Sequence, residues 1–183
     1  FPMIFLLVTW FWVKRPEVLQ RVAFIVIASF FLYYIIYIFV PVAGPQYYYA
    51  APGVDAANGV FPEMGHYFHD MREMYPQVGV DGPFHRLVSM AHEAGERPTA
   101  AFPSSHIGIA TILLILSLKY KTKALTFILL PLYCLLCAAT VYIHAHYLID
   151  AIAGFFTSFI AYFSLSWVYK RFFETPVSKP VGE

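Results

Sequence analysis

Five apolar stretches, separated by short polar or basic segments, set the pattern of the chain. They cover approximately residues 1–13, 22–40, 103–118, 124–142 and 146–169. A helix needs about 20 apolar residues to cross a bilayer, so the first stretch is expected to be the end of a span. The third would cover about 24 Å of a core that is about 30 Å thick, which places its polar start near the headgroups. The pattern predicts an all-α, polytopic membrane bundle.

The segment between the second and third stretches differs in character. Residues 42–102 carry glycine, proline, aspartate and glutamate, and they begin with an aromatic run at 47–49 that is typical of a membrane interface. We predict a loop outside the hydrocarbon, with short helices over 62–75 and 83–94. Residues 172–183 are predicted to form a loose cytoplasmic tail.

The basic residues predict the orientation. Nine of the twelve fall at span ends that alternate onto one side of the membrane: Lys14, Arg15, Arg21, Lys119, Lys121, Lys123, Lys170, Arg171 and Lys179. Basic residues favour the cytoplasmic side. The loop over 42–102, with the remaining three arginines, should therefore be extracytoplasmic.

Composition agrees with a membrane protein. The chain is 60% hydrophobic and 13% charged, with a mean hydropathy of +0.63. A formal charge of +1 with few basic residues gives no sign of nucleic-acid binding. Cys134 and Cys137 lie inside one apolar stretch, where they are expected to be small core residues and not a disulfide framework.

Two polar islands interrupt this sequence, over residues 100–106 and 144–150. In the first, Ser104 or Ser105 can cap a helix that starts after Pro103, which would place His106 at a helix end that attracts an oxyanion. In the second, His146 and Asp150 are four residues apart, which on a helix puts them on one face. Both islands fall on the predicted extracytoplasmic side. Ionisable residues at such places are functional by default.

The two islands carry a family resemblance. The segment 102–106, Phe-Pro-Ser-Ser-His, resembles the Pro-Ser-Gly-His element of the type 2 phosphatidic acid phosphatase (PAP2) superfamily, which includes acid phosphatases and vanadium haloperoxidases. The segment from His146 to Asp150, followed by Gly154, resembles the later His-x3-Asp element. The resemblance covers approximately residues 97–154. It implies one domain over 1–171 with a six-helix membrane core, whose first helix would be missing from this sequence.

Departures from the superfamily pattern suggest a branch. Thr140 stands where an arginine is expected six residues before the second histidine, and Met90 stands where a lysine is expected before the matching Arg97-Pro98 pair. Ser105 replaces a glycine. The better likeness is to the inositol phosphorylceramide synthase and sphingomyelin synthase branch, whose members have a His, His, Asp triad without that arginine.

The resemblance implies a two-step displacement at phosphorus. His146 would attack to form a phosphohistidine, Asp150 would fix its tautomer, and His106 would be general acid and then general base. Such a mechanism needs no metal and no cofactor. The substrates would be phospholipids or sphingolipids.

Candidate phosphate-binding residues complete this interpretation. Backbone amides at Ser104, Ser105 and His106 would help to hold the phosphoryl oxygens. Of the three arginines in the loop over 42–102, Arg86 and Arg97 are nearer in sequence to the first island than Arg72, and they are the candidate cations.

Three alternatives stay open. The first is a lipid phosphate phosphatase acting on phosphatidate or a related phosphomonoester. The second is a metalloenzyme, because His144, His146 and Asp150 look superficially like a ligand set, although residues two apart on a helix point to different faces. The third is a non-catalytic lipid-binding protein or transporter, for which charges near mid-bilayer would be expected, and the predicted spans contain none.

Overall fold

The computed structural model describes residues 2–70 and 98–174. The helices of these two segments are α1 (Pro2–Lys14), α2 (Pro16–Phe39), α3 (Pro45–Tyr48), α4 (Tyr67–Asp70), α5 (Ser105–Lys119), α6 (Lys123–Tyr142) and α7 (Leu148–Phe172). The predicted all-α class is confirmed.

Helices α2, α6 and α7 have 24, 20 and 25 residues and are long and apolar enough to cross a membrane. Helices α1 and α5 are apolar but shorter, with 13 and 15 residues. At about 1.5 Å per residue, α5 covers about 23 Å of a core that is about 30 Å thick. The chain is an integral membrane protein, and α5 is too short to bridge the hydrocarbon alone.

Three helices begin two or more residues away from the start that the apolar pattern indicates. Helix α2 begins at Pro16, six residues before the predicted span, because a proline suits the first position of a helix. Helix α5 begins at Ser105 and not at 103, since Ser104 is its N-cap. Helix α7 begins at Leu148 and not at 146, since Tyr147 is its N-cap.

The loop between α2 and α5 contains a short helix in one of the two places where the sequence predicts one. Helix α4 occupies Tyr67–Asp70, inside the short helix predicted over 62–75, and residues 62–66 are not helical. The other short helix, predicted over 83–94, lies outside the described residues.

Helix α5 forms the centre of the bundle. It packs against α1, α2, α6 and α7, and ten of its fifteen residues are buried. The core around it is aliphatic and aromatic and includes Leu7, Phe11, Val22, Ile25, Ile112, Leu113, Leu116, Leu125 and Leu129. Large apolar side chains on the other helices face outward, as lipid contact requires.

One end of the bundle, here called the loop end, gathers three connecting segments. The amide of Ala101 donates to the carbonyl of Val42 at 3.1 Å, which joins the segment before α5 to the segment after α2. The amide of Gln46 donates to the carbonyl of His144 at 2.9 Å, which adds the connection between α6 and α7. The loop end therefore brings both polar islands together.

The opposite end, here called the basic end, contains the junctions α1–α2 and α5–α6 and the C-terminus of α7. Its parts are joined by an ion pair between Arg21 and Glu174, with 2.6 Å between Nη1 and Oε1, and by the rings of Phe11 and Tyr120, whose centroids are 5.3 Å apart. All lysines and arginines of the described segments lie there: Lys14, Arg15, Arg21, Lys119, Lys121, Lys123, Lys170 and Arg171.

A close approach of α5 and α7 at the loop end depends on Gly154. The amide of Ser104 donates to the carbonyl of Asp150 at 3.0 Å. A Cβ atom on Gly154 would lie 2.4 Å from the carbonyl oxygen of Ser104, which is far closer than van der Waals contact. The absence of a side chain at this position lets the two helix ends meet.

We expect Gly154→Ala to lower the free energy of unfolding by about 1–3 kcal/mol, because one methyl group overpacks this contact. Ile160→Ala on the same helix is the control. Its side chain is 67% exposed and faces the lipid, so a change within about 0.5 kcal/mol is expected. Unfolding of both variants in mixed micelles measures this difference. Equal stability of the two variants would contradict the close contact.

Candidate active site

Two histidines from the two polar islands meet at the loop end. Nδ1 of His106 lies 3.2 Å from Nε2 of His146, and the ring centroids are 5.4 Å apart. His106 is the second residue of α5 and is exposed, whereas His146 is buried in the segment before α7. The structure thus brings together the two histidines that the sequence singled out.

The hydrogen bonds of His146 define its tautomer. Its Nδ1 lies 2.9 Å from the carbonyl oxygen of Ala101. A carbonyl can only accept, so Nδ1 must carry the proton, and in the neutral ring Nε2 keeps its lone pair. The partner atom, Nδ1 of His106, must then be the donor in the bond between the rings. His146 therefore presents a basic, nucleophilic nitrogen toward a proton held by His106.

Asp150 is close to His146 but is bonded differently from the expectation. Its carboxylate is buried, with 1% of the residue exposed, and Oδ2 accepts from the amide of Tyr147 at 2.9 Å. The distance from Oδ2 to Nδ1 of His146 is 3.9 Å. Asp150 thus caps α7 by reaching back to an amide that has no partner within the helix.

Two sequence expectations about this pair are corrected. His146 does not lie on the helix with Asp150, because α7 begins two residues after it. The group that fixes the tautomer is the Ala101 carbonyl and not the Asp150 carboxylate, since the carbonyl is nearer to Nδ1 by a full ångström.

Ser104 is the N-cap of α5. It is one of the two serines that the sequence predicts as caps of this helix. Its Oγ accepts from the amide of Ile107 at 3.4 Å, and its own amide donates to Asp150. The amide of Ser105 donates to Oη of Tyr37 at 3.0 Å. Both amides already have acceptors in this structure. That they hold phosphoryl oxygens stays a prediction, and it would require them to change partners.

Thr140, at the place of the superfamily arginine, has a structural role. It is buried, and its hydroxyl donates to the carbonyl of Cys137 at 3.1 Å. Its own carbonyl accepts from the amide of His146 at 3.1 Å. The two candidate cations, Arg86 and Arg97, and also Met90, lie outside the described residues. Within the described segments, the loop end has no lysine or arginine.

His144 does not join His146 in a ligand set. It is exposed, has a φ of 57°, and its ring packs edge-on against Tyr49 with centroids 6.4 Å apart. Among residues 2–70 and 98–174, no group of three or more His, Cys, Asp or Glu side chains is arranged to hold a metal ion.

Sequence reasoning missed three groups that shape the site. Tyr37 contacts the turn before α5, and Tyr33 contacts α7 through the carbonyl of Gly154 at 3.2 Å. Two tyrosines four residues apart in an apolar helix form a polar stripe, and that signal was available. The Ala101 carbonyl was not predictable, because a backbone acceptor has no sequence signature.

These features define a membrane-embedded helical bundle with a paired-histidine site at one end. The family model of the PAP2 superfamily matches residues 1–164, and the chain belongs to this superfamily. The sequence resemblance is confirmed at that level, and the inositol phosphorylceramide and sphingomyelin synthase branch stays a prediction. No curated protein and no solved structure matches the chain. Members are typically phosphatases or phosphotransferases, which supports an enzyme acting on lipid phosphates.

The pKa of His146 keeps the ring neutral. Burial, together with repulsion from His106, lowers this pKa from 6.5 to about 4, and the hydrogen bond to Ala101 opposes the shift. A lowered histidine pKa means that the neutral form persists as pH falls, until the pH reaches about 4. The nucleophilic nitrogen is thus available throughout the neutral and mildly acidic range.

We expect the ring of His146 to titrate near pH 4, because burial and the neighbouring His106 disfavour its charged form. Nitrogen NMR of histidine-labelled protein in detergent, with His146→Gln to assign the signal, measures this midpoint. A midpoint for His146 at 6 or higher would contradict the buried, neutral ring.

Proposed function

We propose that this protein transfers a phospho-headgroup between lipids through a phosphohistidine on His146, in the manner of an inositol phosphorylceramide synthase. The observation that carries this proposal is the chain of two hydrogen bonds from His106 through His146 to the Ala101 carbonyl. It leaves the lone pair of Nε2 directed at a proton donor, which is the arrangement that a nucleophile with an adjacent general acid requires.

In the first step, Nε2 of His146 attacks phosphorus, and the bond between phosphorus and the leaving oxygen breaks. The electron pair goes with that oxygen, which takes the Nδ1 proton of His106 in its imidazolium form, so that His106 becomes neutral. In the second step, the hydroxyl of the acceptor lipid gives its proton to His106 while its oxygen attacks phosphorus. The N–P bond breaks, and its electron pair returns to Nε2, so the resting state is restored.

Asp150 and the Ala101 carbonyl stabilise the intermediate in this scheme. A phosphorylated imidazole that keeps its Nδ1 proton carries a positive charge on the ring. The Ala101 carbonyl accepts a hydrogen bond from that Nδ1–H group, and the buried Asp150 carboxylate lies 3.9 Å from the same nitrogen. An opposite charge at this distance in a buried setting favours the cationic ring.

The charge on the substrate distinguishes transferase from phosphatase. Thr140 occupies the arginine position, its hydroxyl is bonded to a backbone carbonyl, and the described residues of the loop end include no lysine or arginine. A phosphodiester carries less negative charge than a phosphomonoester dianion, so it needs fewer cations. Arg97, directly before Pro98, and Arg86 are our candidates for the cations that meet the phosphate. Hydrolysis of lipid phosphomonoesters is the second candidate function, since the superfamily supports both.

The site is proposed to face away from the cytoplasm. The described basic residues all lie at the basic end, and positively charged ends favour the cytoplasmic side. The loop end, with both histidines, is then extracytoplasmic.

We expect His146→Ala, His106→Ala and Asp150→Asn each to lower turnover by orders of magnitude, because residues that act as a unit in one reaction cannot replace each other. His144→Ala is the matched control, since this neighbouring histidine is exposed and its ring packs against Tyr49 outside the pair, and it should keep near-normal activity. Headgroup transfer from labelled phospholipid to ceramide or diacylglycerol measures all four. Near-normal turnover in His146→Ala would refute the phosphohistidine.

We expect faster initial rates on a diester such as phosphatidylinositol than on phosphatidate. A monoester site that lacks one charge-assisted contact loses about 1.5–3 kcal/mol of binding. Parallel assays of free phosphate and of new labelled lipid separate hydrolysis from transfer. Phosphate release from phosphatidate that outpaces all diester turnover would assign the protein to the phosphatases.

We expect a cysteine at Ala57 to react with an impermeant thiol reagent from outside intact cells, and one at Lys123 to react only after the membrane is opened. Both positions are exposed, and they lie in the loop between α2 and α5 and at the basic end. Cys134→Ala and Cys137→Ala provide a cysteine-free background. Labelling in the reverse pattern would place the site on the cytoplasmic side.

A further inference from the structure

The phenol of Tyr37 bridges the turn that leads into α5. Its Oη donates to the carbonyl of Pro103 at 3.0 Å and accepts from the amide of Ser105 at 3.0 Å. A hydroxyl has one proton and two lone pairs, so one phenol can do both. The two bonded peptide groups stand on either side of Ser104, which is itself tied to Asp150.

These contacts set the direction of the first turn of α5. Ser105 is the first residue of the helix and His106 is the second. The amide of Ser105 has no acceptor within the helix, because the first four amides of any helix lack one. Tyr37 supplies that acceptor and orients the Ser104–Ser105 peptide, which lies one peptide before His106. The position of His106 Nδ1, 3.2 Å from Nε2 of His146, depends on this peptide.

The same face of α2 also holds α7. Tyr33, one turn before Tyr37, contacts the carbonyl of Gly154 at 3.2 Å and Oγ1 of Thr157 at 3.0 Å. It lies against Gly108 of α5, where a Cβ atom would come within 1.8 Å of the Tyr33 hydroxyl. The two tyrosines therefore fix the beginning of α5 and the beginning of α7 to one helix.

The geometry points to Tyr37 as a positioning residue that acts through the Pro103–Ser105 turn to hold His106 in line with Nε2 of His146. This inference rests on the proposed function for its effect on turnover, and on geometry alone for its effect on His106. Tyr34 provides a matched control. It is a neighbouring tyrosine of α2 that is 58% exposed and faces outward.

The first measurement is steady-state transfer by Tyr37→Phe and Tyr34→Phe. Loss of the hydroxyl in Tyr37→Phe should lower kcat about 10- to 100-fold, because a misplaced catalytic group costs rate in this range. KM should change by less than about threefold. The phenol contacts the turn that carries the acid, so its loss should affect the transition state and not substrate binding. Tyr34→Phe should match the parent protein. An unchanged kcat in Tyr37→Phe would overturn the inference.

The second measurement does not depend on activity. Diethyl pyrocarbonate modifies neutral imidazoles, and mass spectrometry reads each histidine separately. The ratio of modification rates, His106 over His144, should rise at least twofold in folded Tyr37→Phe and stay constant in Tyr34→Phe, because release of the turn moves the His106 ring away from His146 and gives the reagent access to both of its ring nitrogens. A constant ratio in both variants would overturn the positioning role.

The two measurements separate two kinds of failure. If the parent protein transfers no headgroup but the ratio rises in Tyr37→Phe, the proposed function fails and the positioning role stands. If the parent is active and Tyr37→Phe changes neither kcat nor the ratio, the positioning role fails and the proposed function stands.

Discussion

The contact between the first turns of α5 and α7 is the constraint on which the site depends. The amide of Ser104 reaches the carbonyl of Asp150 at 3.0 Å only because Gly154 has no side chain. His106 follows Ser104 by two residues, and His146 precedes Asp150 by four. If the helix ends were held apart by one methyl group, the two imidazoles would move with them. One contact therefore determines both how the two helix ends pack and where the two imidazoles lie.

The sequence predicts the coarse arrangement of the helices well, because this arrangement depends on which segments prefer lipid and which prefer water. Apolar length and basic ends determine which segments are helical and which ends share a side, and both polar islands fell at one end for that reason. His106 and His146 were identified by being ionisable in an apolar chain. Bond partners were less predictable. The spacing of His146 and Asp150 indicated a helical pair, but the carboxylate at the third position of α7 is used by the Tyr147 amide.

Several backbone groups at the site have hydrogen-bond partners that the sequence did not predict. The Ala101 carbonyl holds the imidazole that a carboxylate was expected to hold, and a phenol occupies an amide that was expected to bind phosphate. Near a membrane, each unpaired amide or carbonyl costs free energy, so a polar side chain that reaches one is used for it first. Residue identity alone therefore overestimates how many polar groups stay available to a ligand.

The bond between His106 and His146 also has a consequence for the resting protein. The proton that His106 donates to Nε2 is the same proton that the proposed leaving group needs. In the proposed cycle, His106 therefore carries its proton before the substrate binds. In the proposed reaction, phosphorus and the leaving oxygen would each replace the contact that the two ring nitrogens now make with each other, so this hydrogen bond holds the ring nitrogens in place until a substrate enters.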